Sequence, residues 1–219
     1  MNQPRQMRRA EALRLRCAVV ALTIVSACTS GPAPPDNRPY EQKIEQWRKD
    51  KDAMFKSGGT ESPLTPAGRE SFAGLTYYAT DAAYHVPAWL TRDQGGPLAL
   101  IELQTSTNER RRMRRVGRLA FTINGTPLAL VAFADLESTT VNRLFVPFTD
   151  ATSGTETYGG GRYIELDKTP TGLYDLDFNR AYHPFCVYNP TYDCPIPPKE
   201  NRLTIAIRAG ERLASVPHR

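Results

Sequence analysis

Residues 112–134, RMRRVGRLAFTINGTPLALVAFA, hold the strongest fold signal in the chain. Two apolar stretches, 112–123 and 126–134, flank the dipeptide Asn124-Gly125. Asn and Gly tolerate the positive φ angles of a type I′ turn, so the dipeptide predicts a tight hairpin between two antiparallel strands. The centre of the chain is therefore predicted to be antiparallel β structure.

Other stretches with an apolar period of two extend this pattern outward from the hairpin. The further predicted strands are 75–79, 84–90, 98–104, 143–148, 162–167, 173–178 and 202–208. Pro147 has no amide donor, which predicts an edge strand or a bulge at that position. Helical patterns do not alternate with the strands, which argues against a parallel α/β fold. The predicted fold is mainly β, an antiparallel barrel or sandwich of about eight or nine strands with an N-terminal amphipathic helix.

The N-terminal helix is predicted from apolar residues at helical spacing. These residues are Tyr40, Ile44, Trp47, Met54 and Phe55. Pro39 suits the first turn of a helix, and Gly58-Gly59 supplies a stop. We expect this apolar stripe to pack on the domain's own sheet, with binding to a partner as the alternative. Thr65-Pro66 predicts the start of a second, short helix.

The first 27 residues have the three parts of an export signal: a basic start, an apolar run over 17–25 and two small residues. The apolar run is shorter than the roughly 20 residues that span a bilayer. The motif Val-Ser-Ala-Cys that ends at Cys28 resembles the lipobox of bacterial lipoproteins, in which the cysteine becomes the first mature residue and carries lipid. The resemblance implies a signal peptide over 1–27, lipid on Cys28, a Pro-rich tether over 28–39 and one mostly β domain over 40–219.

The leader also accounts for the basic pI of about 9.1. Of the chain's 28 basic and 23 acidic residues, five arginines and one glutamate lie in the leader, which leaves 23 basic and 22 acidic side chains. A domain so close to neutral is not steered toward polyanions, so no nucleic-acid partner is expected. The expected partner is the membrane, through Cys28, on the periplasmic side of the cell envelope. In Gram-negative lipoproteins, an Asp directly after the lipidated cysteine favours retention in the inner membrane. This chain has Thr29 at that position, so the outer membrane is the expected location.

Five arginines form a dense basic run at Arg110–Arg112 and Arg114-Arg115. One interpretation is capture of phosphate groups, such as those of lipid headgroups. The other is a solvated strand or hairpin tip in which Met113 and Val116 face inward. The absence of aromatic residues between the arginines argues against nucleic-acid binding.

A glycine-rich loop precedes the predicted strand 162–167. Gly159, Gly160 and Gly161 would form either an anion-binding nest beside Arg162 or a turn that only glycine permits. Glu156 lies in the same loop and would act as a general base if it were removed from water.

The densest candidate region is 177–201, which is unusually rich in Asp, Asn and Tyr. Such loops are held together by their own hydrogen bonds. Cys186 and Cys194 are predicted to form a disulfide in an oxidising periplasm. The alternatives are free thiols, a metal site that also uses His183, and a Cys186–His183 nucleophile pair.

Two functional hypotheses follow from these loops. The first is a lipid-anchored binding or scaffold domain for a small polar or anionic ligand, or for an envelope partner. Its ligand-binding candidates are Tyr158, Arg162, Asn179, Tyr182 and Asn201. The second is an envelope hydrolase or isomerase with Glu156 or Asp177 as acid/base and Arg162 as anion clamp, and His183 as a further catalytic candidate. No cofactor or metal is expected, and in the simplest outcome all these residues only hold long loops in place.

Several short blocks resemble an uncharacterised bacterial and archaeal family, number 1684 among the domains of unknown function. They include Trp47-Arg48 with Lys51, Leu144–Asp150, Gly161-Arg162-Tyr163, Asp177-Phe178-Asn179 and Cys194–Pro198. The resemblance spans about residues 41–211. It implies no activity, because the family has none established. The family has Asn at the position of His183, which lowers the expectation that His183 is catalytic or binds metal.

Overall fold

The structure is a computed structural model, and the helices and strands of its described residues lie between Tyr40 and Asn201. The described residues are 36–93, 99–136 and 141–214. The predicted signal peptide 1–27, Cys28 and most of the 28–39 tether lie outside them. Among the described helices, none has both the length and the apolar character needed to cross a membrane.

Seven antiparallel strands and one long helix make up the fold. The strands are β1 His85–Arg92, β2 Leu100–Gln104, β3 Arg110–Ile123, β4 Thr126–Asp135, β5 Arg143–Phe148, β6 Arg162–Asp167 and β7 Leu173–Asp177. The helices are α1 Tyr40–Ser57, α2 Pro66–Glu70 and the short 3-10 helices Ala82–Tyr84, Phe178–Arg180, Phe185–Val187 and Lys199–Asn201. The strand order is β6-β5-β4-β3-β1-β7, with β2 paired to β3. A bridge between Tyr163 of β6 and Tyr182, just beyond β7, helps to curl this sheet into a nearly closed barrel. The predicted mainly β, barrel-like fold is confirmed.

The central hairpin has the predicted turn. Asn124 and Gly125 have φ angles of 48° and 78°, and Ile123 is paired with Thr126 across the turn. Positive φ at both central residues is the signature of the type I′ turn, whose twist matches that of the flanking strands. The prediction for β3 and β4 is confirmed.

Helix α1 also follows its sequence signals. It starts directly after Pro39, which is its N-cap, and it ends at Gly58 in the left-handed conformation with φ 72°. Ile44 and Phe55 of the apolar stripe are fully buried. Since this burial is within the described chain, the stripe packs on the domain itself, as expected.

Two predicted strands, 75–79 and 202–208, are wrong, which leaves seven strands in place of eight or nine. Both segments contain only isolated bridges. The apolar alternation in 202–208 is real, because Leu203 and Ile207 are buried. The backbone of Ile207, however, bonds to the side chains of Asp150 and Arg162. At Ile207, side chains therefore supply the hydrogen-bond partners that a neighbouring strand would supply in a sheet.

Pro147 lies on an interior strand, not on an edge strand, because β5 runs between β4 and β6. The β4–β5 ladder pairs Phe133 with Phe145 and then opens. The Asn201 amide fills the opening: it accepts from the Val131 N–H at 2.7 Å and donates to the carbonyls of Val131 at 2.9 Å and Pro147 at 2.6 Å. A side-chain amide thus replaces the ladder where the proline interrupts it.

Side chains of β4 alternate between two apolar clusters, as expected for opposite faces of a strand. Leu130 and Ala132 belong to the large core inside the barrel-like sheet. Val131 and Phe133 belong to a smaller cluster, together with Met113 of β3. We call this smaller cluster the outer cluster. The sheet is therefore covered on both faces at its centre.

The arginine run lies on β3 and has the character of a solvated strand. Met113 and Val116 are buried, whereas Arg110–Arg112 are exposed. Arg115 forms an ion pair with Asp93 at 2.6 Å. The side chains of the run thus lie on both faces of β3. Arg115 is already bound to Asp93, so only the exposed arginines remain available to a ligand.

Candidate functional site

A cavity of about 410 Å³ adjoins the outer cluster. It is lined by residues of β3, β4, β5 and β6 and of the segment from Tyr182 to Pro195. Its aromatic walls are Phe145, Tyr163, Tyr182, Phe185 and Tyr192. Small-molecule sites have volumes of roughly 300–1,000 Å³ and mostly apolar walls with a few polar groups, so the cavity has the size and the character of one.

Arg111 of β3 and Asp135 of β4 are oppositely charged and line the cavity. Asp193 also lines it and interacts electrostatically with Arg111. Met113, two residues after Arg111, is the register partner of Asp135, so the two charges flank one apolar side chain. Arg143 also lines the cavity, but its guanidinium lies 3.0 Å from a carboxylate oxygen of Glu165. Arg111 and Asp135 therefore place one charge of each sign at the cavity.

Cys194 forms part of the cavity wall, and Cys186 is in contact with it. The backbone N–H of Cys186 donates to the Cys194 Sγ at 3.2 Å. Both are free thiols in this structure, and their disulfide stays a prediction. No group of three or more His, Cys, Asp or Glu side chains in the described residues is arranged to hold a metal ion.

The two thiols are in unequal environments. A hydrogen bond from the Cys194 thiol, with further hydrogen bonds from the hydroxyls of Ser106 and Tyr158, lowers the pKa of Cys186 to about 6. The same contact with Cys186, together with burial, raises the pKa of Cys194. These contacts therefore favour the thiolate form of Cys186 and the thiol form of Cys194.

His183 is a buried, neutral side chain. Burial lowers its pKa to about 4, against the opposing effect of the nearby Glu211 carboxylate. Its Nε2 accepts a hydrogen bond from the Tyr158 N–H at 3.3 Å, so the proton of the neutral ring is on Nδ1. His183 therefore supports the loops around it and does not present a titrating group to solvent.

Arg162 lies in the core with 1% of its surface exposed. Its guanidinium donates to the carbonyls of Ile207, Ala209 and Glu211 and to the Asp150 carboxylate at 2.8 Å. These bonds hold the C-terminal segment against β6. The Arg162 guanidinium therefore bonds the protein's own backbone.

Asp177 and Asn179 join helix α1 to the loop after β7. The Asp177 carboxylate accepts from the Tyr40 hydroxyl and from the Asn179 N–H, both at 2.9 Å. The Asn179 amide, fully buried, donates to the Asp81 carbonyl at 2.8 Å. Asp177 also lines a second cleft of about 430 Å³ between α1, β6 and β7.

Glu156 lies at the surface in an ion pair with Arg208 at 2.7 Å. This contact, reinforced by the Tyr78 hydroxyl, lowers the pKa of Glu156. Glu156, Asp177 and Arg162 are thus held by three different sets of contacts. A carboxylate that acts as a general base must be removed from water and must lack a cationic partner, because both conditions raise its pKa. Glu156 is in contact with solvent and is paired with Arg208, so it meets neither condition.

The three consecutive glycines form a turn before β6, closed by a hydrogen bond from the Gly161 N–H to the Tyr158 carbonyl at 3.0 Å. Gly161 has φ 93°, and a Cβ there would lie 2.5 Å from the Phe148 carbonyl oxygen. Glycine is required at this position by conformation and by close packing.

The structure brings together four of the residues singled out from the sequence. Cys194 and Tyr182 line the cavity, while Cys186 and Tyr158 adjoin it. Arg162, Asn179 and Asn201 lie elsewhere, in the core. Sequence reasoning missed that Arg111 and Asp135 line one cavity, because this depends on the β3–β4 register.

Comparisons with known proteins agree with the fold. Residues 70–212 match the model of a family described as "Protein of unknown function (DUF1684)". The solution NMR structure of an uncharacterized protein from Haloarcula marismortui is 38% identical, with a TM-score of 0.62. The alignment covers 80% of this chain and 94% of that chain. No match was found among curated proteins.

Proposed function

Because this chain belongs to the DUF1684 family of proteins of unknown function, we propose a function from its own residues. The domain is a lipid-anchored binding module of the cell envelope, and its ligand is a small polar molecule that occupies the cavity beside Cys194. One observation carries this proposal: the oppositely charged side chains of Arg111 and Asp135 line a cavity with aromatic walls.

The charges indicate the ligand's chemistry. Arg111 suits a carboxylate or another anionic group, since its planar guanidinium donates two parallel hydrogen bonds. Asp135 suits an ammonium group. The rings of Phe145 and Tyr192, which line the same cavity, suit an apolar or planar body. A small zwitterion with an apolar side chain satisfies all three.

Phenylalanine is the probe that tests this proposal, followed by NMR titration of the labelled domain. We expect saturable binding with shifts at Met113 and Phe145, and weaker binding of 3-phenylpropionate and 2-phenylethylamine, each of which lacks one charge. Arg111→Met should weaken phenylalanine binding about tenfold or more, because a hydrogen bond to a charged group contributes about 1.5–3 kcal/mol.

The matched control is Arg112→Met. Arg112 is the next residue on the same strand and is exposed, but it points away from the face that carries Arg111 and Met113. This variant should bind like the wild type. Equal losses in both variants, or no saturable binding of any of the three probes, would contradict the proposed site.

The anchor is supported by the leader sequence, since an apolar run and small residues precede Cys28. Several acyl chains would hold the domain stably at the membrane. Mass spectrometry of the mature protein should find Cys28 as the first residue, with a diacylglyceryl group on its sulfur. Cys28→Ser should remove this modification and release the domain from membranes, whereas an intact Met1 or cleavage elsewhere would show that no lipoprotein is made.

A further inference from the structure

The two cysteines lie in one short loop, which is hydrogen-bonded to the turn between β2 and β3. Cys186 is in the 3-10 helix Phe185–Val187, and its N–H points at the Cys194 sulfur, 3.2 Å away. Cys194 is fixed to the turn between β2 and β3, where its N–H donates to the Ser106 hydroxyl at 3.1 Å and its carbonyl accepts from the Ser106 N–H at 2.9 Å. The two sulfurs therefore meet through backbone contacts that do not depend on a covalent bond between them.

The two cysteine residues also differ in exposure to solvent. Cys186 is only half-buried, whereas Cys194 has 7% of its surface exposed. Hydrogen bonds from Cys194, Ser106 and Tyr158 favour the thiolate form of Cys186. The more exposed residue of the pair thus carries the sulfur whose thiolate form is favoured, and Cys194 is its partner. Reactive cysteines combine this exposure with a lowered pKa, while structural buried cysteines do not.

We propose that Cys186 and Cys194 form an exchange-active dithiol, in which Cys186 attacks a low-molecular-weight disulfide and Cys194 resolves the product. This activity goes beyond ligand binding and does not require it.

The exchange proceeds in two balanced steps. The Cys186 thiolate attacks one sulfur of the external disulfide, its S–S bond breaks, and one external thiolate leaves and takes a proton from water. Cys194 then gives its proton to water or buffer and attacks the Cys186 sulfur, which expels the second external thiolate. The protein loses two electrons and gains one Cys186–Cys194 bond, while the external disulfide is reduced to two thiols.

The first test is the alkylation of the reduced full-length protein by iodoacetamide at a series of pH values, with the labelled site mapped by mass spectrometry. Cys186 should be labelled with a midpoint near pH 6. At pH 6.5 its rate should exceed that of a cysteine with the ordinary pKa of about 8.5 by roughly five- to tenfold, because the larger thiolate fraction outweighs the lower nucleophilicity of a low-pKa thiolate.

The second test uses oxidised glutathione and the variant Cys194→Ala, which lacks the resolving thiol. The wild type should end with Cys186 and Cys194 both unavailable to alkylation and with no glutathione on either of them, as mapped by mass spectrometry. Cys194→Ala should instead accumulate a mixed disulfide at Cys186, and its alkylation midpoint should rise by about one pH unit or more because the thiol donor is gone.

The variant Tyr158→Phe tests whether hydrogen bonds, and not burial alone, determine the reactivity of Cys186. It removes one hydroxyl donor to Cys186 while it keeps the ring, so the alkylation midpoint should rise by less than in Cys194→Ala. A wild-type midpoint near pH 8.5 would overturn the proposal, as would a folded Cys194→Ala protein that forms no mixed disulfide. Equal labelling of Cys194 in a Cys186→Ala variant would also overturn it.

Discussion

Arg162→Met should lower the free energy of unfolding by about 3–5 kcal/mol, the largest loss that we expect from one substitution. Arg162 and Asp150 are both almost completely buried, at 1% and 0% side-chain exposure. The substitution leaves a carboxylate without its cation in the core. It also removes the donor to three carbonyls of the segment 207–211.

Urea unfolding followed by tryptophan fluorescence measures this loss, with Trp47 and Trp89 as reporters. The control is Arg143→Met, since Arg143 also pairs with a carboxylate but is 63% exposed. An exposed ion pair contributes about 1 kcal/mol or less, so this variant should be nearly as stable as the wild type. If Arg162→Met is too unstable to purify, Arg162→Lys keeps the charge without the planar fork and should show an intermediate loss. A loss below about 1 kcal/mol for Arg162→Met would contradict the role given to the guanidinium.

Asn201→Ala is expected to lower the free energy of unfolding by about 3 kcal/mol. The Asn201 amide bonds three backbone groups between β4 and β5, and its removal leaves the Val131 N–H and the carbonyls of Val131 and Pro147 without partners. Each buried polar group left unpaired costs about 1–3 kcal/mol, and water that enters the gap would recover part of this.

Hydrogen–deuterium exchange gives a local readout for this substitution. The Val131 amide should lose protection in Asn201→Ala, whereas amides of the β3–β4 hairpin turn should change little. Asn142→Ala is the matched control because Asn142 is exposed, and surface substitutions usually change stability by about 0.5 kcal/mol or less. Unchanged exchange at Val131 would argue against the bridge.

Arg162 and Asn201, both predicted as ligand-binding candidates, bond the protein's own backbone in the core. An arginine after a glycine run and an asparagine in a loop are compatible with an anion site, and sequence alone does not reveal what surrounds them. In the fold both lie where a regular ladder is missing: Arg162 beside the segment 202–208, and Asn201 in the opening beside Pro147. Unpaired backbone groups in the core must find partners, and these side chains supply them.

Patterns that act between neighbouring residues were predictable. Asn124-Gly125 determines its turn through the φ angles that these two residues tolerate, and helix α1 ends at Gly58 for the same reason. The period of two located the strands from β1 to β7, because side chains alternate between faces in any strand. The same period was found in 202–208. There it correctly predicted which residues are buried, but the segment does not form a strand.

The amino-acid sequence by itself therefore determined the hairpin, the helix, the mainly β class and most of the buried positions, since each depends on local sterics or periodicity. Only the tertiary structure decided which polar residues complete the core and which face a cavity. Val131 and Asn201 are 70 positions apart, and Ser106 and Cys194 are 88 apart. Contacts of this kind follow from strand order and register, which the whole chain sets through packing and not through any short stretch of it.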